Sequence, residues 1–153
     1  MTRRNPINPV DDEARALARR LLAEARFGAL AVHGDPAPMV SRVAVTAMDG
    51  APMILVSDLS EHSRALAANP ACSLLLGEPG ERGDPLTHPR MTVMARAEPA
   101  DKAALKDRWL ANQPKSRLYY DFTDFRLLRL APLAIHLNGG FGKAYRLEPA
   151  DLH

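Results

Sequence analysis

Cysteine occurs once in this 153-residue chain, at Cys72, so an internal disulfide cannot form. No Cys/His group has the spacing of a zinc site, and His33, His62, His88, His136 and His153 are too dispersed to mark any metal. Aromatic residues make up only 5% of the chain, and the sequence contains no aromatic-interleaved basic stripe of the kind that grips nucleic acid. No apolar run approaches the ~18 residues of a membrane span. The basic start Met1-Thr2-Arg3-Arg4 is not followed by the apolar segment of a secretory signal. Acid and base nearly cancel, 20 Lys plus Arg against 18 Asp plus Glu, for a formal net charge of +2. Arg3-Arg4 and Arg19-Arg20 therefore read as solvated faces. The expectation is a cytoplasmic protein that binds neither nucleic acid nor membrane.

What is present is ordinary for a globular chain: 46% hydrophobic and 25% charged residues, at a length that suits one domain spanning residues 1–153. A first helix is expected after Asn8 as its cap and Pro9 in its first turn, with Asp11, Asp12 and Glu13 at the end that favours acids. Gly28 would stop it. The period then changes to that of strands, over residues 27–32, 39–47 and 53–57, and Asp49-Gly50 between two apolar runs predicts a hairpin. Ser60 caps a short helix over 61–69, closed by Pro70. Further strands are expected at 72–76, 91–97, 125–130, 134–137 and 144–147, and a second helical stretch at 101–112. The aperiodic loop 77–89 is long enough to be functional or to contact a second copy. This succession reads as mainly β with flanking helices, an antiparallel barrel with helices outside it.

Three polar groups could carry chemistry. Ser41-Arg42 interrupts an apolar strand, where a snorkelling edge arginine is the plain alternative. Ser57-Asp58-Leu59-Ser60-Glu61-His62-Ser63-Arg64 runs from a strand end into a helix start, where unpaired N–H groups, hydroxyls and an arginine suit an anion; a simple capped helix is the alternative. If Arg42 projects toward Arg64, two guanidiniums would suit one phosphate. Asn138-Gly139-Gly140-Phe141-Gly142-Lys143 lets backbone approach a ligand closely, or is a plain hairpin turn. Cys72 sits in an apolar strand and reads as a buried core thiol.

Taken in order, Pro38-Met39-Val40-Ser41-Arg42-Val43, the stretch from Leu55 to Leu66, Asp84 to Thr92, and Asp124-Phe125-Arg126-Leu127 followed by Asn138-Gly139-Gly140-Phe141-Gly142 resemble the pyridoxamine 5′-phosphate oxidase-related, FMN-binding split-barrel family. The similarity covers about residues 10–152 and is nearest the haem-utilisation branch. It implies a six-stranded split β-barrel, a homodimer, and two FMN molecules in the clefts between subunits. Carried over residue by residue, Arg42 matches the first-strand arginine near FMN, with the Val43–Val45 backbone against the flavin ring. Ser57 and Asp58 match the pair closing the next strand. Ser60, His62, Ser63 and Arg64 match the phosphate-gripping turn, and Arg90 a position that reaches in from the partner subunit. Asn138 and Gly139 belong to the glycine-rich turn beside it.

Departures from the pattern are equally informative. Ala47 stands where the oxidase has a lysine near the flavin, and its substrate-phosphate trio falls on Trp109, Gln113 and Arg117. Leu137 replaces a late tryptophan, and the Arg-x-His substrate motif reads Lys143-Ala144-Tyr145. The resemblance therefore implies an FMN-dependent oxidoreductase with a different small-molecule substrate. The alternative is a non-catalytic flavin- or haem-binding protein, serving as carrier, sensor or in haem utilisation. Haem-degrading relatives carry a further C-terminal domain that these residues do not match, which tilts the expectation toward flavin. No acid or base is assigned.

Overall fold

A computed structural model describes residues 6–153; the reading of Arg3-Arg4 as a solvated face lies outside them. The elements run β1 (Ile7–Asn8), α1 (Asp12–Glu24), β2 (Phe27–Val32), β3 (Met39–Met48), β4 (Ala51–Ser57), α2 (Glu61–Ala68), β5 (Ala71–Leu76), β6 (Arg90–Pro99), α3 (Lys106–Asn112), β7 (Phe125–Asn138) and β8 (Ala144–Leu147). Sheet order is β1-β8-β7-β4-β3-β2-β5-β6, and a further β7–β6 pairing closes six of these strands into an antiparallel barrel.

Alternation along the strands builds the interior. Leu30, Val45, Ile54, Leu74, Val93 and Ile135 point inward and are fully buried. Helix α1 closes one end of the barrel with Ala14, Ala18 and Leu22, and α2 closes the other with Leu66. A second apolar cluster lies outside the barrel wall, where Trp109, Leu110 and Tyr120 cover Met53, Leu55 and Leu127. The rest of the outer wall, formed by β2, β5, β6 and the adjoining halves of β3 and β7, has no helix over it among the described residues.

Several boundaries differ from the sequence expectation for identifiable reasons. Asn8 is drawn into β1, which pairs parallel with β8, and its side-chain amide donates to the Gly142 carbonyl at 2.7 Å. Capping of α1 passes to Asp11, whose carboxylate accepts from the Ala14 N–H at 2.8 Å. Gly28 does not stop the helix but sits inside β2, where a Cβ would lie 2.9 Å from the Leu75 carbonyl. The two strands expected at 125–130 and 134–137 are one strand. It continues through Pro132 because a register shift between Met94 and Ala95 on β6 lies opposite the residue that lacks an N–H. The helix expected from 101 starts at Lys106: Asp101 caps a turn at Ala104, but the Tyr120 hydroxyl takes the Lys102 carbonyl that a continuing helix would use.

The Asp49-Gly50 hairpin is present as read. Met48 pairs with Ala51, and both turn residues have positive φ, 50° and 76°. Ser60 likewise caps α2 as expected.

Candidate functional site

Strand β4 ends at Ser57, and the next three residues reverse the chain into α2. Internal hydrogen bonds hold this turn. The Ser60 hydroxyl donates to the Ser57 carbonyl at 2.7 Å and lies 2.8 Å from the Ser63 hydroxyl, while the Ser57 hydroxyl donates to Asp124 at 3.1 Å. Asp58 accepts from Arg126 Nε at 2.6 Å. Three of the predicted polar groups, Ser57, Asp58 and Ser60, thus build the turn. Ser63 and Arg64 line a cleft of about 320 Å³ at the α2 end of the barrel, facing Arg126, Val56 and Leu128. Arg126 is a cation of this cleft that the sequence reading passed over. Its partner Val56 on β4 is inward-facing, and that register is the signal.

One hydrogen bond joins strand β3 to α2: Ser41 Oγ lies 3.2 Å from His62 Nδ1. Burial pushes the His62 imidazole below its ordinary value, which keeps the ring neutral and able to donate on one nitrogen and accept on the other. Arg42, one residue on, points to the opposite face of the strand, with its guanidinium 5.6 Å from the centre of the Phe27 ring. Arg64 instead pairs with Glu61 at 3.4 Å on the helix. One chain therefore holds the two arginines with different partners, on either side of the Ser41–His62 contact.

The backbone near them is open on one side. The β3–β4 ladder ends at Val45 opposite Ile54, although β3 extends back to Met39 and β4 on to Ser57. Strand β4 turns instead to β7 along Met53–Ser57. This parting is the split in the barrel, and it exposes the edge of β3 beside Val43. Val45 turns its own backbone to the β2 side, where its N–H donates to the Arg26 carbonyl and its carbonyl accepts from Asn112 at 3.2 Å and Gln113 at 2.9 Å.

Arg90, Asn138 and Gly139 lie elsewhere on the chain. Arg90 and Asn138 are paired neighbours where β6 starts and β7 ends. Arg90 donates to the Leu86 carbonyl, Asn138 accepts from the Gly140 N–H at 2.9 Å, and the Gly139 N–H donates to the Lys143 carbonyl at 2.8 Å. Arg90 and Asn138 line a cleft of about 250 Å³ together with His136 and Arg146, an imidazole and a guanidinium absent from the expected set. Both follow from the two-residue period of β7 and β8, which turns them to the same side as Asn138.

Loop 77–89 is knitted to itself, with the His88 ring accepting from the Gly80 N–H and meeting the Arg82 carbonyl. The positions that correspond to the oxidase's substrate trio are used structurally or left in solvent. Trp109 is fully buried in the outer cluster, Gln113 is tied to Val45 and Arg26, and Arg117 is exposed. Among the described residues no group of His, Cys, Asp and Glu could hold a metal, and no helix is long and apolar enough to cross a membrane.

Comparison with known proteins agrees with this architecture. A curated relative, the chloroplastic non-canonical heme oxygenase HOZ of Arabidopsis thaliana, is 36% identical over 101 residues, 63% of this chain but 30% of its own length. A heme binding protein from Mycobacterium smegmatis superposes with a TM-score of 0.85 at 29% identity, covering 94% of this chain and 61% of that one. ChuZ of Campylobacter jejuni shares the fold, with a TM-score of 0.83 at 16% identity, over 94% of this chain and 63% of that one. The chain thus spans under a third of the curated relative and less than two thirds of these two structures. The pyridoxamine 5'-phosphate oxidase family model matches residues 14–139, and the chain belongs to that family.

Proposed function

We propose that the chain is an FMN-binding flavoprotein, a homodimer acting as an oxidoreductase on a small molecule other than pyridoxamine phosphate. The observation that carries the reading is the parting of β3 from β4 beyond Val45 and Ile54, beside Arg42 and the capped start of α2. Open strand edge, a guanidinium and a helix N-terminus suit a flat ring with a phosphate tail. In this arrangement Ser60, His62, Ser63 and Arg64 serve the phosphate end, the backbone at Val43 lies against the ring, and Arg42 holds the opposite face of β3 against Phe27. Ser57 and Asp58 hold the turn that carries them. Arg90, Asn138 and Gly139 would come from the second copy. Bound there, the flavin supplies hydride exchange at N5. The chain's own part is to bind and orient, with a neutral His62 as hydrogen-bond partner. Ala47, Trp109 and Gln113 support a substrate other than the vitamin phosphate.

A second reading, haem binding, is favoured by one observation: His136 stands beside Arg90 and Arg146 in a single cleft, a ligand for iron next to two partners for carboxylates. The names of the plant and mycobacterial relatives point the same way. Absorption spectra after equilibrium dialysis against FMN, and separately against haemin, decide between them. Retained flavin absorbance that Arg64→Ala abolishes is the expected result. A Soret band that His136→Ala removes, with no retained flavin, replaces it by the haem reading.

A further inference from the structure

The two flanks of helix α1 treat their charges differently. On one flank Arg15 donates to Asp151 at 2.8 Å and pairs with Asp12 at 3.0 Å, and Arg19 donates to the Asp151 carbonyl at 2.9 Å. On the other, Glu13, Ala16, Leu17 and Arg20 follow the i, i+3, i+4, i+7 spacing and form one stripe. This stripe is one wall of a cleft of about 360 Å³, and Pro89, Gly139, Lys143 and Tyr145 form the other. Gly139 keeps the middle open, since a Cβ there would stand 3.3 Å from Leu17 Cδ2. Among the described residues, the side chains of Glu13, Arg20 and Lys143 and the Tyr145 hydroxyl have no hydrogen-bond or ion-pair partner.

We propose that this cleft binds an extended dipeptide, with its ammonium at Glu13 and its carboxylate at Arg20 and Lys143. Charge of both signs carries the assignment. A purely anionic ligand would be repelled by Glu13, and a purely cationic one would meet Arg20 and Lys143. A free α-amino acid holds both charges on one carbon, whereas Glu13 and Arg20 stand two turns apart, about 10.5 Å along the helix axis. Side chains leaning inward over Ala16 shorten that gap toward the roughly 7 Å between the ends of an extended dipeptide. The guanidinium fork of Arg20 suits a carboxylate, and Lys143 adds a point charge. Between the charges, Ala16, Leu17 and Pro89 offer apolar surface to a side chain, and the Tyr145 hydroxyl can serve the central amide. The volume lies at the small end of ordinary ligand sites, which suits two residues better than a longer peptide. Glu13, Arg20 and Lys143 take no part in holding the flavin, so the two readings stand or fall separately.

The test is a titration of the purified chain with alanyl-leucine, followed by backbone amide chemical shifts, beside the N-acetylated dipeptide and the dipeptide amide. Alanyl-leucine should bind saturably and shift amides along α1 and β8. Each blocked form, lacking one charge, should bind at least about tenfold more weakly. In Glu13→Gln the difference between the free and N-acetylated dipeptides should vanish, and in Arg20→Gln the difference between the free dipeptide and its amide should shrink to what Lys143 alone supports. Affinity should fall as sodium chloride is added, because the charged ends are exposed. Ala16→Leu, a good helix former at an exposed position, should fill the cleft and abolish the shifts while the urea midpoint stays at the wild-type value. No saturable shift at millimolar dipeptide overturns the proposal. So does binding that ignores both blocking groups, or that persists in Ala16→Leu.

Discussion

Ser41 on β3 and His62 on α2 meet across the split in the barrel at 3.2 Å, the single side-chain hydrogen bond between the first site strand and the helix that caps the barrel end. The contact ties the parted strand to the helix whose first turn Ser60 organises. It also makes the split sensitive to the charge of one ring.

That sensitivity has a defined sign. Burial lowers the His62 pKa in the folded chain, so the unfolded chain, near about 6.5, takes up the proton first. The stability this ring contributes is complete above that value and is lost as pH falls through the lower folded one. The ring is only half-buried, which keeps the effect below about 1 kcal/mol. Urea midpoints should fall between about pH 8 and pH 5 more steeply for the wild type than for His62→Gln. Equal slopes would show that the ring does not titrate against the fold.

Trp109 separates a packing effect from a polar one. Its ring is fully buried between α3 and the barrel wall, and its indole Nε1–H finds no acceptor. A buried unpaired donor costs about 1–3 kcal/mol, while truncation of a buried aromatic costs about 3–5. Trp109→Phe removes the donor and keeps most of the ring, so it should fall within about 1 kcal/mol of wild type by chemical denaturation, where Trp109→Ala loses several. A Phe variant as unstable as the Ala variant would mean that the indole's full shape, not its ring area, holds the outer cluster.

Much of the fold was legible where one local rule decides. Two positive-φ residues make the Asp49-Gly50 hairpin, and a serine directly before Glu61, in a run that Pro70 ends, makes the α2 cap. What escaped was decided at a distance. Asn8 looks like a cap until Tyr145, far along the chain, draws it into a strand, and Pro132 looks like a break until a shift on β6 accommodates it. For the site, residue types were readable and their facing was only partly so. Alternation from buried Val43 turns Arg42 outward, away from Ser41 and α2, so the convergence of Arg42 on Arg64 within one chain is not what β3 provides. The same alternation carried from Leu137 turns His136 outward with Asn138, a signal present in the sequence and missed. The closing of the Val45 carbonyl by Asn112 and Gln113 had no local signal at all.

The hairpin can be tested through its glycine. Gly50 has φ of 76°, and a Cβ there would stand 2.5 Å from Cε1 of the His153 ring. Gly50→Ala therefore meets two penalties, a left-handed conformation worth about 1–2 kcal/mol and a clash with a terminal side chain that can move. In the Gly50→Ala/His153→Ala double variant only the first remains. The double variant should be more stable than the sum of the two single changes implies. Simple additivity would mean that the His153 ring swings clear without cost.

Cys72 tests whether the end of the barrel opens. Burial raises its thiol to about 11, so at neutral pH far less than one in a hundred molecules carries the nucleophilic thiolate. Yet the residue also lines a cleft of about 340 Å³ with Ala31, His33 and Leu133, shallow enough for a small reagent to enter. If the closed barrel sets reactivity, iodoacetamide and a bulky aromatic disulfide should both label the native chain at least about a hundredfold more slowly than the urea-unfolded chain. Rapid labelling by the small reagent alone would place the thiol at the cleft surface with a lower effective pKa. Rapid labelling by both would require β5 to separate locally from β2 on the timescale of the reaction, and hydrogen exchange at the Leu30–Leu74 pair would then be fast as well.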